Sequence, residues 1–336
     1  MTRIFWDERQ RRHAPVQELH NGGFVPYAEH CGRIDSMLAA LGATEPAADH
    51  GEAPLLRVHS RAYLDFLATA FADWKAAGRS GDASGYVWPV VGRRPLDLDR
   101  IDARLGQYSI DASTPVAEGT WESAYWSAQT ALSALDAVLA GERAAFALCR
   151  PPGHHAGADY MGGYCYLNSA AVAADAARAA GKDRVAILDI DYHHGNGTQD
   201  VFLERGDVFF ASIHADPRTD YPFFWGHADE TGAGTGEGTT LNLPLPRGTG
   251  ISGYEAALDR ALEAIVRHGA DLLVCSFGAD TFSGDPISFF ALETADYGPI
   301  ARRIASLGLP TLVVMEGGYA TEALGANVAA FLGGFA

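Results

Sequence analysis

Arg150-Pro151-Pro152-Gly153-His154-His155 and Asp189-Ile190-Asp191-Tyr192-His193-His194-Gly195 gather imidazoles and carboxylates at points where apolar runs stop. The first follows residues 144–149 and the second residues 185–188, both of strand length. Open α/β sheets hold ligands beyond the carboxyl ends of their strands, so both stretches stand where chemistry is done. Strand alternation points Asp189, Asp191 and His193 one way, and Ile190 and Tyr192 the other. Oxygen and nitrogen donors converging at a strand end suit a divalent metal, and fewer than four protein ligands leave a position open for water. The competing reading is a buried Asp pair satisfied by backbone donors. Packing several ionised groups together without a metal is costly, which disfavours it.

A third ligand is expected from another strand end, and Asp280 follows the apolar run that leads to Phe277-Gly278-Ala279. The expected metal triad is therefore Asp191, His193 and Asp280, with Asp189 one pleat deeper as the carboxylate that fixes an imidazole. His194 faces away by the same alternation and is read as structural. A rigid Pro-Pro-Gly turn precedes His154 and His155, whose ordinary pKa near 6.5 suits proton transfer at neutral pH. After the run at 311–315 comes Glu316-Gly317-Gly318-Tyr319, where a phenol can approach a substrate and stabilise an oxyanion. Together these groups describe hydrolysis of an amide or ester by metal-activated water.

Strand-length runs at 144–149, 185–190, 207–213, 271–277 and 311–315, with an early one at 3–6, must position these residues. Helix-periodic segments at 121–139, 170–180, 254–268 and 297–307 lie between them, each ending at or near a glycine. The pattern predicts one α/β domain over residues 1–336, with a mostly parallel central sheet and helices on both faces. Between Gly78 and Gly119 the periodicity lapses into a long loop insertion, about 79–118, and a second irregular segment spans 215–239 with Tyr221, Phe223, Phe224 and Trp225. Loops of that length inside a domain are usually functional or bind partners.

Lys plus Arg number 25 against 42 Asp plus Glu, and the net charge of −17 opposes nucleic acid and anionic membrane while favouring a cationic ligand. No run approaches the roughly 20 apolar residues of a membrane span, and the amino terminus lacks the apolar segment of a signal peptide. The scattered Cys31, Cys149, Cys165 and Cys275 form no Cys-x-x-Cys pair and are read as reduced, in a cytoplasmic protein.

With these residues in view, the chain resembles the histone deacetylase family over nearly its full length, most closely its bacterial acetylpolyamine amidohydrolases. The motifs that carry the resemblance are 150–155, Gly162-Gly163-Tyr164-Cys165, the 189–199 run with His-His-Gly-Asn-Gly-Thr-Gln, Asp280, and 316–319. The resemblance implies an arginase/deacetylase-like fold and a catalytic zinc on Asp191, His193 and Asp280. Iron(II) or cobalt is also compatible with this donor set. It implies His154 and His155 as the tandem histidines, Asp189 as the partner of His154, and Tyr319 as the carbonyl-polarising tyrosine. Asn196 stands where many members carry an Asp, which leaves His155 less basic.

Tyr164 and Tyr221 correspond to aromatics that line the substrate channel, Tyr221 standing where members tend to have Phe. A structural potassium ion is implied near Asp189, Asp191, His193, Ser212 and Ile213. The segment 79–118 resembles one that, in polyamine-type members, reaches across a homodimer and narrows the channel. The acidic residue that meets a distal ammonium in those members falls near Ser113, with Asp111 and Glu118 close by. The expected substrate is a small cationic N-acetylated polyamine or diamine; the alternative is a broader deacylase acting on acetyl-lysine or other acyl amides. An arginase-like site is disfavoured because Gly195 stands where a second metal needs another carboxylate, and a non-catalytic binder because every catalytic residue is present.

Overall fold

The computed structural model describes residues 2–90, 94 and 96–335. Its strands in chain order are β1 (Arg3–Phe5), β2 (Gln17–His20), β3 (Gly23–Pro26), β4 (Ala144–Ala147), β5 (Val185–Asp189), β6 (Val208–Ala215), β7 (Thr240–Leu245), β8 (Leu272–Phe277) and β9 (Thr311–Met315). The α-helices are α1 (Gly32–Leu41), α2 (Arg61–Ala76), α3 (Ile101–Gln107), α4 (Thr120–Leu139), α5 (Ser169–Ala179), α6 (Asn196–Phe202), α7 (Ile251–His268), α8 (Thr294–Ala305) and α9 (Thr321–Gly333). Seven strands form one sheet in the order β1-β4-β9-β8-β5-β6-β7, every neighbouring pair parallel. β2 and β3 form a separate antiparallel hairpin.

The inner strands read as unbroken apolar runs because both faces of a parallel sheet are covered. Val185 and Ile187 of β5 join the core beneath α2, α4 and α5, whereas Ala186 and Leu188 join the one beneath α1, α7, α8 and α9. This is the expected α/β architecture. Three features depart from the expected elements. β5 stops at Asp189, so residues 190–194 are not strand, 191–193 forming a bend, and alternation does not aim their side chains. The segment 79–118 contains α3, whose Ile101 and Leu105 are buried, though Val91, Gly92, Arg93 and Pro95 of that segment lie outside the described residues. β7, the hairpin and α1, α2, α6 and α9 are further elements, which the periodicity did not reveal.

Consecutive strands β4 and β5 are not neighbours, since β9 and β8 are inserted between them. Such a reversal of winding opens a crevice at the carboxyl ends of the strands. Two loops at that crevice are tied together from below by buried ions. Glu29 Oε1 accepts from Arg33 Nη1 at 2.7 Å and lies 2.9 Å from Arg150 Nε. Arg33 donates in turn to the carbonyl of Gly318 at 2.7 Å, and Arg150 to those of Gln10 and Glu29, each at 2.9 Å. All three side chains are fully buried. Removing one partner of such a group leaves uncompensated charge in the core, so Glu29→Ala is expected to cost about 3–5 kcal/mol. Urea denaturation measures it, and a loss below about 1 kcal/mol would show that the two arginines find other acceptors.

Candidate active site

Four adjacent strands, β4, β9, β8 and β5, lead into the site. The turn after β4 carries His154 and His155, the one after β9 carries Tyr319, and Asp280 follows β8. β5 ends on Asp189 and the bends beyond it present Asp191 and His193. One donor atom from each of Asp191, His193 and Asp280 lies within 4.8 Å of the other two. His193 Nδ1 is 3.1 Å from Asp280 Oδ2 and 3.4 Å from Asp191 Oδ1.

Convergence of these side chains comes from hydrogen bonds in the bends. The Asp191 N–H donates to Asp189 Oδ1 at 3.1 Å, the His193 N–H to Asp191 Oδ1 at 2.9 Å, and the Tyr192 N–H to Asp280 Oδ1 at 2.9 Å. Gly278 permits the approach, because a Cβ there would stand 2.0 Å from Asp191 Oδ2. Burial, and then the facing Asp191 charge, push the Asp280 carboxyl up to about 7. Two buried carboxylates that repel each other beside an imidazole are a donor set that a divalent cation satisfies, so these residues fit a metal such as zinc.

His154, Cys165 and Glu316 form a second compact donor group, but its carboxylate is already engaged. Glu316 Oε2 accepts the N–H groups of Gly153 and His154 at 2.7 and 3.1 Å, and Oε1 accepts the Ser276 hydroxyl at 3.2 Å. Glu316 therefore anchors the backbone that presents the histidines. The sequence reading assigned it no role, although a carboxylate directly continuing the apolar run of β9 was its signal.

His154 Nδ1 lies 3.0 Å from Asp189 Oδ2, and His155 Nδ1 lies 2.7 Å from Asn196 Oδ1. Their ring centroids are 4.0 Å apart. Different partners separate their basicity. Burial opposes a charge on His154, yet Asp191, Asp189 and Glu316 outweigh it and raise the ring to about 10. Burial together with the neighbouring His154 and His193 drives His155 well below the usual imidazole value, and the neutral Asn196 does little to offset them. His194 is turned away, its Nε2 lying 3.0 Å from Asn242 Oδ1.

A cavity of about 630 Å³ opens above these groups, and His155, His193 and Tyr319 line it together with Tyr164 and Tyr221. The Tyr221 ring stands edge-on to His155 with centroids 5.0 Å apart, and Tyr164 meets Tyr319 at 5.5 Å. Gly163, at φ +52°, sits so close to His155 that a Cβ would fall 2.2 Å from the ring. Asp111, Ala112 and Ser113 bring part of the 79–118 segment into this chain's own cavity, while Glu118 is exposed outside it. Glu18, which the sequence reading did not single out, accepts the Tyr164 hydroxyl at 2.9 Å. Ser212 and Ile213 of β6 run beside the end of β5, Ser212 in register with Asp189 and its hydroxyl 2.8 Å from His214 Nδ1.

A family model described as the histone deacetylase domain matches residues 26–335. Acetylpolyamine amidohydrolase 1 of Pseudomonas aeruginosa is 50% identical, covering 100% of this chain and 99% of that protein. Acetylpolyamine amidohydrolase of Mycoplana ramosa is 48% identical, with both chains covered fully. Among solved structures, the acetylpolyamine aminohydrolase of Burkholderia pseudomallei superposes with a TM-score of 0.96 at 41% identity, over 100% of this chain and 98% of that one. A parallel sheet wound this way, matched by that domain over 26–335 and by relatives at about half identity, leaves one conclusion: the chain belongs to the histone deacetylase family of amidohydrolases.

Proposed function

We propose that the protein hydrolyses the acetyl amide of small N-acetylated polyamines and diamines, releasing acetate and the free amine. The observation that carries this reading is the grouping of Asp191, His193 and Asp280 at a cavity lined also by His155 and Tyr319. The names of its full-length relatives supply the substrate class. Asp191, His193 and Asp280 would hold a zinc ion, which when bound polarises the amide carbonyl and lowers the pKa of water.

The remaining chemistry belongs to the protein's own side chains. His155, the ring kept unprotonated, takes the proton from the attacking water at its free nitrogen and passes it to the departing amine nitrogen. His154, whose Nδ1 is hydrogen-bonded to Asp189, polarises the site beside the reacting carbonyl. The Tyr319 hydroxyl donates to the oxygen that becomes negative. Tyr164 and Tyr221 confine an extended aliphatic substrate between aromatic walls.

The same reading extends to the rest of the molecule. The chain is one domain over 1–336 with an insertion at about 79–118, and it pairs as a homodimer. The exposed Tyr86, Val87, Val90 and Leu96 of that insertion support the pairing. Asp189, Asp191, His193, Ser212 and Ile213 would hold a structural potassium ion. Four free cysteines favour the cytoplasm, and the net charge of −17 disfavours nucleic acid and anionic membranes. Among the described residues no helix is long and apolar enough to cross a membrane.

Zinc-loaded protein is expected to release acetate from N-acetylputrescine, N-acetylcadaverine and N-acetylspermidine faster than from an acetyl-lysine peptide, with one metal ion per chain by elemental analysis. Equal or better turnover of the peptide would favour the broader deacylase. Tyr319→Phe is expected to keep the metal and to lose about 10²-fold or more in kcat; near wild-type turnover would remove the oxyanion role. Asn196→Asp places a carboxylate on His155 and favours its protonated form. Because the base must be unprotonated, the acid limb of the kcat/KM profile is expected to move to higher pH, by about 1 unit or more. A limb that stays in place would show that His155 is not the proton acceptor.

A further inference from the structure

Behind His155 runs a chain of hydrogen bonds that ends on a carboxylate the hydrolytic steps leave unused. His155 Nδ1 lies 2.7 Å from Asn196 Oδ1, Asn196 Nδ2 lies 3.3 Å from the Tyr160 hydroxyl, and that hydroxyl lies 2.6 Å from Asp200 Oδ2. Asn196 and Asp200 stand one turn apart on α6 and share a face of the helix, and Tyr160 spans the gap between them. Gly157 lets that ring in, because a Cβ there would fall 2.3 Å from it. Asp200 Oδ1 accepts the Trp225 Nε1–H at 3.2 Å.

With Asp200 ionised, the chain runs in one direction. A carboxylate donates nothing, so Asp200 accepts from Tyr160. Burial raises the Asp200 carboxyl, and the hydrogen bonds from Tyr160 and Trp225 act against that rise. Its hydrogen committed there, Tyr160 offers the Asn196 side chain only a lone pair; the Asn196 backbone carbonyl, at 3.5 Å, is a more distant acceptor for that hydrogen. The other acceptor beside the amide is the His155 carbonyl, 3.4 Å from Nδ2. A flipped amide would set its oxygen against two acceptors, so Nδ2 faces Tyr160 and Oδ1 faces the imidazole. An amide oxygen cannot donate, so neutral His155 carries its proton on Nδ1 and leaves Nε2 free.

We propose that Asp200 is a positioning residue for the proton acceptor: through Tyr160 and Asn196 it sets the tautomer of His155 and keeps Nε2 available to the attacking water. The proposal rests on the amidohydrolase reading, in which His155 is the base. A carboxylate bonded directly to the ring would fix the tautomer and also favour its charged form. Here a phenol and a neutral amide carry the orientation alone. Asp200→Asn would reverse the chain. Trp225 holds the side-chain oxygen, so the new amide nitrogen donates to Tyr160, the phenol donates to Asn196, the Asn196 amide turns, and His155 takes its proton on Nε2.

The test measures kcat and KM for N-acetylputrescine with metal-loaded wild type and Asp200→Asn, the latter alone and combined with Tyr160→Phe or Asn196→Asp, each at the plateau of its pH profile. Asp200→Asn is expected to lose about tenfold or more in kcat, with KM changed less than about twofold. On top of Tyr160→Phe the same substitution is expected to change kcat less than about twofold, because the link is gone. On top of Asn196→Asp it is expected to do as little, because a carboxylate accepts from His155 whichever way it turns. Equal losses in all three backgrounds would show a structural or long-range charge effect and overturn the proposal, as would an unchanged kcat in Asp200→Asn. Where a variant does not fold, two-bond proton–nitrogen correlation spectra of wild type decide, with the His155 signals identified by their loss in His155→Ala. A proton on Nδ1 is expected, and one on Nε2 overturns the proposal. A wild type without turnover overturns the amidohydrolase reading and the proposal with it, whereas an active enzyme with equal losses overturns the proposal alone.

Discussion

Asp191 and Asp280, both buried, face each other across His193, and their mutual repulsion is the constraint the surrounding structure answers. Burying one carboxylate is costly, and burying two side by side more so. The fold meets part of that cost with backbone donors: Gly317 N–H to Asp191 Oδ2 at 2.8 Å and Tyr192 N–H to Asp280 Oδ1 at 2.9 Å. Asp189 is offset by His154, and Glu316 by two backbone N–H groups and a hydroxyl. What remains uncompensated is the negative charge that suits a divalent cation. Burial opposes a charge on His154, but Asp191, Asp189 and Glu316 together raise its basicity, so the same carboxylates bear on the donor cluster and on the neighbouring histidine.

Holding such a cluster requires rigid supports, and the sheet supplies them at the point where its winding reverses. Four parallel strands end side by side there, and each contributes a short turn. Asn168, at the start of α5, donates to the Ala156 carbonyl and to the Thr198 hydroxyl, each at 3.0 Å, tying the histidine turn to α6. Below them, Glu29 joins Arg33 to Arg150, and through them the turn after β9 to the turn after β4. The tandem histidines and Tyr319 are thereby held relative to each other by buried ion pairs, over sequence separations of more than a hundred residues.

Selectivity has a different physical origin. The grouped donors, the paired histidines and Tyr319 follow strand ends, whereas other parts of the cavity wall come from loops and from the hairpin that carries Glu18. Tyr221 and Asp111 hydrogen-bond to each other and link two of those loops. A tyrosine hydroxyl in a half-buried wall gains from a polar partner, and Asp111 is that partner.

Much of the candidate site is legible in the sequence, because strand ends, donor types and motif spacing are local properties. The grouping of Asp191, His193 and Asp280 could be inferred from them, as could the pairing of His154 with Asp189 suggested by the family resemblance. Alternation does not account for the first: β5 ends at Asp189, and backbone hydrogen bonds in the bend bring Asp191 and His193 together. Sheet order, the anchoring by Glu316, the Glu29 ion pairs and the partners of Asp111 and Glu18 were not legible. Each depends on residues far apart in the chain meeting in space, and no local periodicity encodes that. The sequence by itself determined which donors exist and that they stand at strand ends, since alternation and apolar runs follow from neighbouring residues alone. Only the tertiary structure decided which strand ends are adjacent, because that follows from how two cores pack on opposite faces of one sheet.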